Sequence, residues 1–273
     1  MKTIVVCLFV ICVFQKSQAQ VAVDSKKLAV CIIGGNLLNQ KSEEYEVNKI
    51  VQLLESQNYT VQKFYHPNDN WDEISEASLN ASIFIYRGHG IRLGIDGGFG
   101  GMSLYESVSG KKIASELKFN KSPIVLFPSV CGGAGSTAED ETDIGIFEAR
   151  NRVLGSALPF FIAGASAYYA NNYNKGMYDF LELMFTGKTL GEAFDITGSK
   201  TNTLEMNQRV NDKRVNALYK IGISSSEGGG TAIITTSNNG VLNSKTIVSP
   251  KGYEIAYMGD PNYRMTEYQL SKK

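Results

Sequence analysis

Short apolar runs alternate with amphipathic stretches along the chain. The run Leu28–Ile33 is continuously apolar and ends at Gly34, a pattern typical of a fully buried strand. A helical stripe follows it, with Ser42 predicted as the cap and these apolar positions: Val47, Ile50, Val51 and Leu54. The stretch Thr60–Tyr65 is predicted as the second strand. This strand–helix–strand order predicts a parallel sheet with helices on its faces.

The alternation continues to the end of the chain. Further strands are predicted at residues 82–86, 124–127, 159–163 and 254–258, and helices near 111–117 and from Met177 and Leu190 onward. Residues 228–243 are rich in Gly, Ser, Thr and Asn and are predicted to form a loop or a hairpin excursion. No internal repeat or linker interrupts the pattern. We therefore expect one α/β domain over residues 20–273.

The first residues have the pattern of a secretory signal peptide. Lys2 precedes an apolar run over residues 3–14, and small residues lead up to Ala19, after which cleavage is expected. A membrane anchor is the alternative, but this run is shorter than the roughly 20 residues that span a bilayer. The sequence therefore predicts a leader over residues 1–19. The mature protein is expected to be secreted, periplasmic or extracellular, without stable membrane insertion.

Composition excludes several classes of protein. Hydrophobic residues make up 43% and charged residues 20%, which excludes a mostly disordered chain. The 27 basic residues balance the 27 acidic ones, and loss of the leader would leave a small acidic excess, so nucleic-acid binding is not expected. With four Cys and two His, neither a multi-zinc protein nor a disulfide-stapled miniprotein fits, and no cofactor or metal is expected. Cys31 and Cys131 remain in the mature chain, and Cys31 is expected to be a buried, inert thiol.

Reactive side chains follow two of the most apolar predicted strands. His89 lies between two glycines after the third strand, and Cys131 precedes Gly132 after the fourth. If these strands are neighbours in a parallel sheet, both residues emerge at the same edge. An imidazole there can deprotonate a thiol and later protonate a leaving group, while the N–H groups of Gly90 and Cys131 can bind an oxyanion. The alternative is a buried structural cysteine and a histidine that only hydrogen-bonds a loop.

The same segments resemble a known family. An apolar strand ending in His-Gly, followed by an apolar strand leading to Cys-Gly, resembles the caspase-like (clan CD) cysteine peptidases. Residues 187–193 and 257–264 resemble a helix start and a closing strand with Gly-Asp-Pro in the gingipain and CHAT-domain type. The resemblance implies a caspase–hemoglobinase-like three-layer sandwich with a mostly parallel central sheet. It also implies a secreted endopeptidase that cleaves protein or peptide substrates through an acyl-enzyme on Cys131, with His89 as general base and acid and with Gly90 and Cys131 as oxyanion donors.

Acidic residues near the expected cleft are the candidates for a substrate pocket. Glu141 and Asp143 follow the cysteine loop, and Asp96 lies in a glycine-rich stretch that we interpret as a mobile flap. Their charge favours cleavage after a basic residue, although a solvated loop is the plain alternative. Two other functions stay open: a non-catalytic caspase-like module that binds a peptide or partner, and another Cys-His acyl-transfer enzyme.

Overall fold

The computed structural model describes residues 27–35, 37, 39–140, 142–172, 174–199, 202–224, 231–238, 241–248 and 252–265. The predicted leader and Glu141 lie outside the described residues. The helices are α1 (Gln40–Ser56), α2 (Trp71–Ser78), α3 (Gly110–Glu116), α4 (Gly145–Ile162), α5 (Asn174–Phe185) and α6 (Leu190–Gly198). The strands are β1 (Lys27–Ile33), β2 (Tyr59–Tyr65), β3 (Ile83–Arg87), β4 (Gly90–Ile91), β5 (Gly101–Ser103), β6 (Ser107–Val108), β7 (Ile124–Pro128), β8 (Ala167–Asn171), β9 (Asn202–Leu204), β10 (Gln208–Arg209), β11 (Leu218–Ser224), β12 (Thr231–Asn238), β13 (Val241–Val248) and β14 (Tyr253–Gly259).

A large central sheet organises the described residues. Its strand order is β10-β11-β14-β8-β7-β3-β1-β2, and β9 pairs with β11 beside this path. The five strands from β8 to β2 pair in parallel, whereas β14 and β11 join the sheet in antiparallel orientation. The predicted α/β architecture with a mostly parallel sheet is therefore confirmed.

Helices cover both faces of this sheet. In β1, alternate residues point to opposite sides, as the pleat of a strand requires. Val30 and Ile32 join a core with α2, α3 and α4, whereas Ala29, Cys31 and Ile33 join a second core with α1, α5 and α6. Every one of these strand positions is fully buried, which explains why the sequence here is continuously apolar rather than alternating.

The prediction of a strand at residues 159–163 is wrong. These residues belong to the last turn of α4 and the segment just after it. Ala149, Val153, Ala157 and Phe160 form the buried side of that helix, at helical spacing. A short apolar run does not distinguish a strand from a buried helix segment, and here the preceding turns of α4 decide the outcome.

The predicted start of the first helix also needs correction. The first helix begins at Gln40, not after Ser42, because the side chain of Asn39 accepts a hydrogen bond from the Ser42 N–H at 3.2 Å. The glycine-rich stretch connects β4 to β5 of a small antiparallel sheet that also contains β6. Phe99 within the stretch is buried, whereas Asp96, Gly97 and Gly98 are exposed, and the mobile flap stays a prediction.

The loop or hairpin expected at residues 228–243 is a hairpin where the structure describes it. Strands β12 and β13 pair with each other in antiparallel register. Among the described residues, no helix combines the length and apolarity needed to cross a bilayer.

Candidate functional site

The ends of β3 and β7 bring the two predicted reactive segments together. The strands are parallel neighbours, with Ile85 opposite Leu126, so the residues that follow them leave the sheet at the same edge. The α-carbon of Gly90 lies directly against the carbonyl oxygen of Cys131, and a Cβ at Gly90 would overlap that oxygen. His89 is exposed and Cys131 is partly exposed. Both side chains are therefore accessible to solvent at this edge.

A buried tyrosine holds the backbone of the histidine segment. The hydroxyl of Tyr86 donates to the carbonyl oxygen of His89 at 2.8 Å and accepts from the N–H of Ser103 at 2.9 Å. Burial raises the pKa of Tyr86 far above its ordinary value, so the hydroxyl keeps its proton and stays a donor at any physiological pH. The segment carrying His89 is consequently fixed between β3 and the small sheet.

The pairing of β4 with β5 determines where the N–H of Gly90 points. Gly90 lies opposite Met102, and the N–H of Ser103 donates to the carbonyl oxygen of His89. In an antiparallel ladder this pattern makes Gly90 and Met102 a pair without mutual hydrogen bonds. The N–H of Gly90 is thus directed away from β5 and takes no part in that ladder.

A sharp turn carries Cys131 out of the sheet. Ser129 has φ 52° and Gly132 has φ 75°, both in the left-handed region. The N–H of Ser129 donates to the carbonyl oxygen of Asn171 at 2.6 Å, and its hydroxyl donates to that of Asn172 at 3.0 Å. These bonds to the end of β8 hold Ser129 in a conformation that costs a non-glycine residue about 1–2 kcal/mol. The thiol is presented by a constrained turn.

Two residues outside the turn brace the loop that follows Cys131. The ring of Phe99 lies against Gly132, where a Cβ would come within 2.7 Å of it. The guanidinium of Arg152 lies 5.2 Å from the centre of that ring and donates to the carbonyl oxygen of Gly135 at 3.2 Å. It also donates to both oxygens of Asp140, at 2.9 and 2.8 Å. The loop is therefore fixed by a buried, charge-assisted network.

Asp143, one of the candidate pocket residues, is connected to the cysteine loop. Asp143 is exposed and accepts a hydrogen bond from the hydroxyl of Tyr253 at 3.3 Å, while the backbone N–H of Tyr253 donates to the side chain of Ser136 at 2.6 Å. Burial, reinforced by the charge of Asp143, raises the pKa of Tyr253 to about 12. Asp143 is thereby connected to the loop that follows Cys131.

Asp96, another candidate pocket residue, is exposed within the glycine-rich stretch. A hydrogen bond to Asp212 raises the pKa of Arg214, and the charge of Asp96 adds to that effect. Arg214 lines a cleft with Gly259, at the end of β14 opposite to the edge that carries Cys131. Phe99, three residues after Asp96, packs against Gly132 of the cysteine loop, so the stretch that carries Asp96 also reaches that loop.

The second histidine is separate from the candidate site. His66 follows β2, and β1 lies between that strand and β3. Its Nδ1 lies 3.1 Å from an oxygen of Asp69, a fully buried carboxylate. Of the two histidines, only His89 is on the strand next to the one that leads to Cys131.

Sequence reasoning did not single out the residues that support the site. Arg152 carried a usable signal, since it interrupts the buried face of α4 four residues after Glu148, to which it donates at 2.8 Å. Phe99 and Tyr86 carried no such signal, because an aromatic residue in an apolar run is normally only part of the core.

No family model matches this chain, and neither does any curated protein sequence.

Proposed function

We propose that the protein is a secreted cysteine endopeptidase of the caspase-like, gingipain-related type. Cys131 is its nucleophile and His89 its general base and acid. The observation that carries this proposal is the contact between the two segments, in which the backbone of Gly90 lies against the carbonyl group of Cys131 at the ends of adjacent parallel strands.

The reaction follows from these roles. His89 removes the proton from the Cys131 thiol, and the sulfur attacks the carbonyl carbon of the scissile peptide bond. The N–H groups of Gly90 and Cys131 stabilise the oxyanion that forms. His89 then gives its proton to the leaving amine as the C–N bond breaks, and water hydrolyses the thioester with His89 again acting as base.

Two other segments support the family assignment through their local structure. Thr189 and Glu192 cap α6 reciprocally, with distances of 2.9 and 3.1 Å, where the sequence resembles a helix start of the family. The second segment contains the end of β14 and the Gly-Asp-Pro turn after it, where the sequence resembles the closing strand. The first segment begins a helix and the second contains the end of a strand, and this local structure supports the proposal.

Single substitutions at the two reactive residues test the proposal. Cys131→Ala and His89→Ala should each reduce hydrolysis of fluorescently labelled casein by at least about 100-fold, because each removes a group that acts in the transition state. Cys31→Ala and His66→Ala are the matched controls, since they remove the other thiol and the other imidazole, and they should retain activity. Casein hydrolysis that survives Cys131→Ala would overturn the proposal. Binding of casein without hydrolysis by the unsubstituted protein would favour the binding module instead.

The proposed preference for a basic residue before the scissile bond has one structural support. Asp143 is exposed, and Tyr253 and Ser136 connect it to the cysteine loop. A library of peptides that varies this position should show turnover after Arg or Lys, and Asp143→Asn should reduce that selectivity. Turnover confined to Asp or Asn at this position would contradict the preference.

A further inference from the structure

A partly buried arginine connects the two reactive segments directly. Arg87 is the last residue of β3 and lies two positions before His89. Its Nη1 donates to the carbonyl oxygen of Pro128 at 3.2 Å and to that of Ser129, which lies two positions before Cys131. One guanidinium group is therefore bonded to the backbone immediately before the candidate nucleophile and belongs to the strand that delivers the candidate base.

A carboxylate on the neighbouring helix neutralises and orients this guanidinium. Nε and Nη2 of Arg87 both lie 2.6 Å from Oε2 of Glu43, in the first turn of α1. The exposed fractions of the two side chains are 11% and 20%, so the pair is largely removed from water. With one edge held by Glu43, the rotation of the guanidinium is fixed, and Nη1 must point at the two carbonyl groups.

Only an arginine can make this set of contacts from the end of β3. Its planar group presents five N–H donors in a rigid fork, whereas a lysine has a single ammonium on a flexible chain. The backbone hydrogen bonds of the sheet do not replace them, because the β3–β7 register ends at Ile85 and Leu126. Beyond that register, the hydrogen bonds of Arg87 join the end of β3 to the backbone at the end of β7, beside the ring contact between Tyr86 and Phe127.

We propose that Arg87 is a positioning residue for the Cys131–His89 pair. It sets the separation of the sulfur and the imidazole by holding the carbonyl groups that precede Cys131 against the strand that precedes His89. This role rests on the proposed function, since it requires that the pair react together. Arg87 itself does not touch the substrate in this scheme.

The test measures the chemistry of the pair without requiring peptide cleavage. The rate of Cys131 alkylation by iodoacetamide is followed from about pH 5 to pH 9 in the intact chain, with peptide mapping to separate Cys131 from Cys31. In the unsubstituted protein, alkylation at mildly acidic pH should depend on His89. Arg87→Met should reduce that rate by about 100-fold, the loss that a displacement near 1 Å produces.

A double substitution shows whether the effect of Arg87 passes through His89. In a His89→Ala background, Arg87→Met should cause no additional loss of alkylation rate, because the pair it positions is already broken.

Arg87→Lys keeps a charge opposite Glu43 and should still reduce the alkylation rate. This variant covers the case in which Arg87→Met does not fold. Arg150→Met is the matched control, because Arg150 and Glu205 form an ion pair of similar exposure, 21% and 19%, on other elements. It should leave the pH profile unchanged.

Each outcome decides the matter. A profile unchanged by Arg87→Met or Arg87→Lys, or an equal loss with and without His89, would overturn the positioning role and leave the proposed function intact. Alkylation independent of His89 in the unsubstituted protein would overturn both. If the alkylation results hold but casein is not cleaved, the proposed function fails while the role of Arg87 stands.

Discussion

The contact between Gly90 and Cys131 can be tested by adding one methyl group. In Gly90→Ala the new Cβ overlaps a backbone carbonyl oxygen, so no side-chain rotation can relieve the clash. The two segments must separate by roughly 1 Å to restore van der Waals contact. Overpacking of this kind costs about 1–3 kcal/mol of the free energy of unfolding. The same displacement should reduce Cys131 alkylation and casein hydrolysis by about 100-fold.

Gly98→Ala provides the matched control for this substitution. A Cβ at Gly98 meets nothing within 4 Å. The backbone of Gly98 is outside the left-handed region, so alanine should raise the free energy of unfolding by about 0.4–1 kcal/mol by restricting the unfolded chain. Urea denaturation measures the free energy of unfolding of both variants, and alkylation rates measure the reactivity of Cys131. If Gly90→Ala retained wild-type stability and wild-type Cys131 reactivity, the two segments would not be in the contact described.

Three further substitutions test the core and the loop. Burial raises the pKa of Cys31 from 9.0 to about 12, so its folded thiol stays neutral while the unfolded one ionises. The neutral buried thiol therefore adds fully to the free energy of unfolding below pH 9, and this stabilisation is lost as the pH rises toward 12. In urea titrations above pH 9, the free energy of unfolding of the wild type should fall by about 1.4 kcal/mol per pH unit more than that of Cys31→Val. Equal slopes would contradict this. Arg152→Met should lower the free energy of unfolding by about 3–5 kcal/mol, because it leaves the largely buried carboxylate of Asp140 without its cationic partner. A loss below about 1 kcal/mol would show that the hydrogen bonds of Arg152 do not stabilise the fold. Gly97 and Gly132 have φ 85° and 75°, but of the two only Gly132 has an aromatic ring, that of Phe99, where a Cβ would lie. In urea denaturation, Gly132→Ala should therefore lower the free energy of unfolding by at least about 1 kcal/mol more than Gly97→Ala. Equal losses for the two variants would show that the ring does not lie against Gly132.

The sequence by itself determined the elements whose pattern is local. The continuous apolar run of β1 and the stripe of α1 are properties of neighbouring residues, and both elements form, although α1 begins at Gln40 and not after Ser42. The positions of His89 and Cys131 just after two such runs could be read in the same way. Local pattern failed at residues 159–163, because a short apolar run buried on a helix has the same composition as a buried strand.

Only the tertiary structure decided which of these segments meet. The strand order places β7 beside β3 and the strand before His66 farther away, and the hydrogen bond from Tyr253 connects Asp143 to the cysteine loop. The partner of Arg87 on α1 lies 44 residues away along the chain. Neither strand order nor such a pairing has a periodicity that a sequence can reveal, because both depend on how complete helices and strands pack around the shared cores.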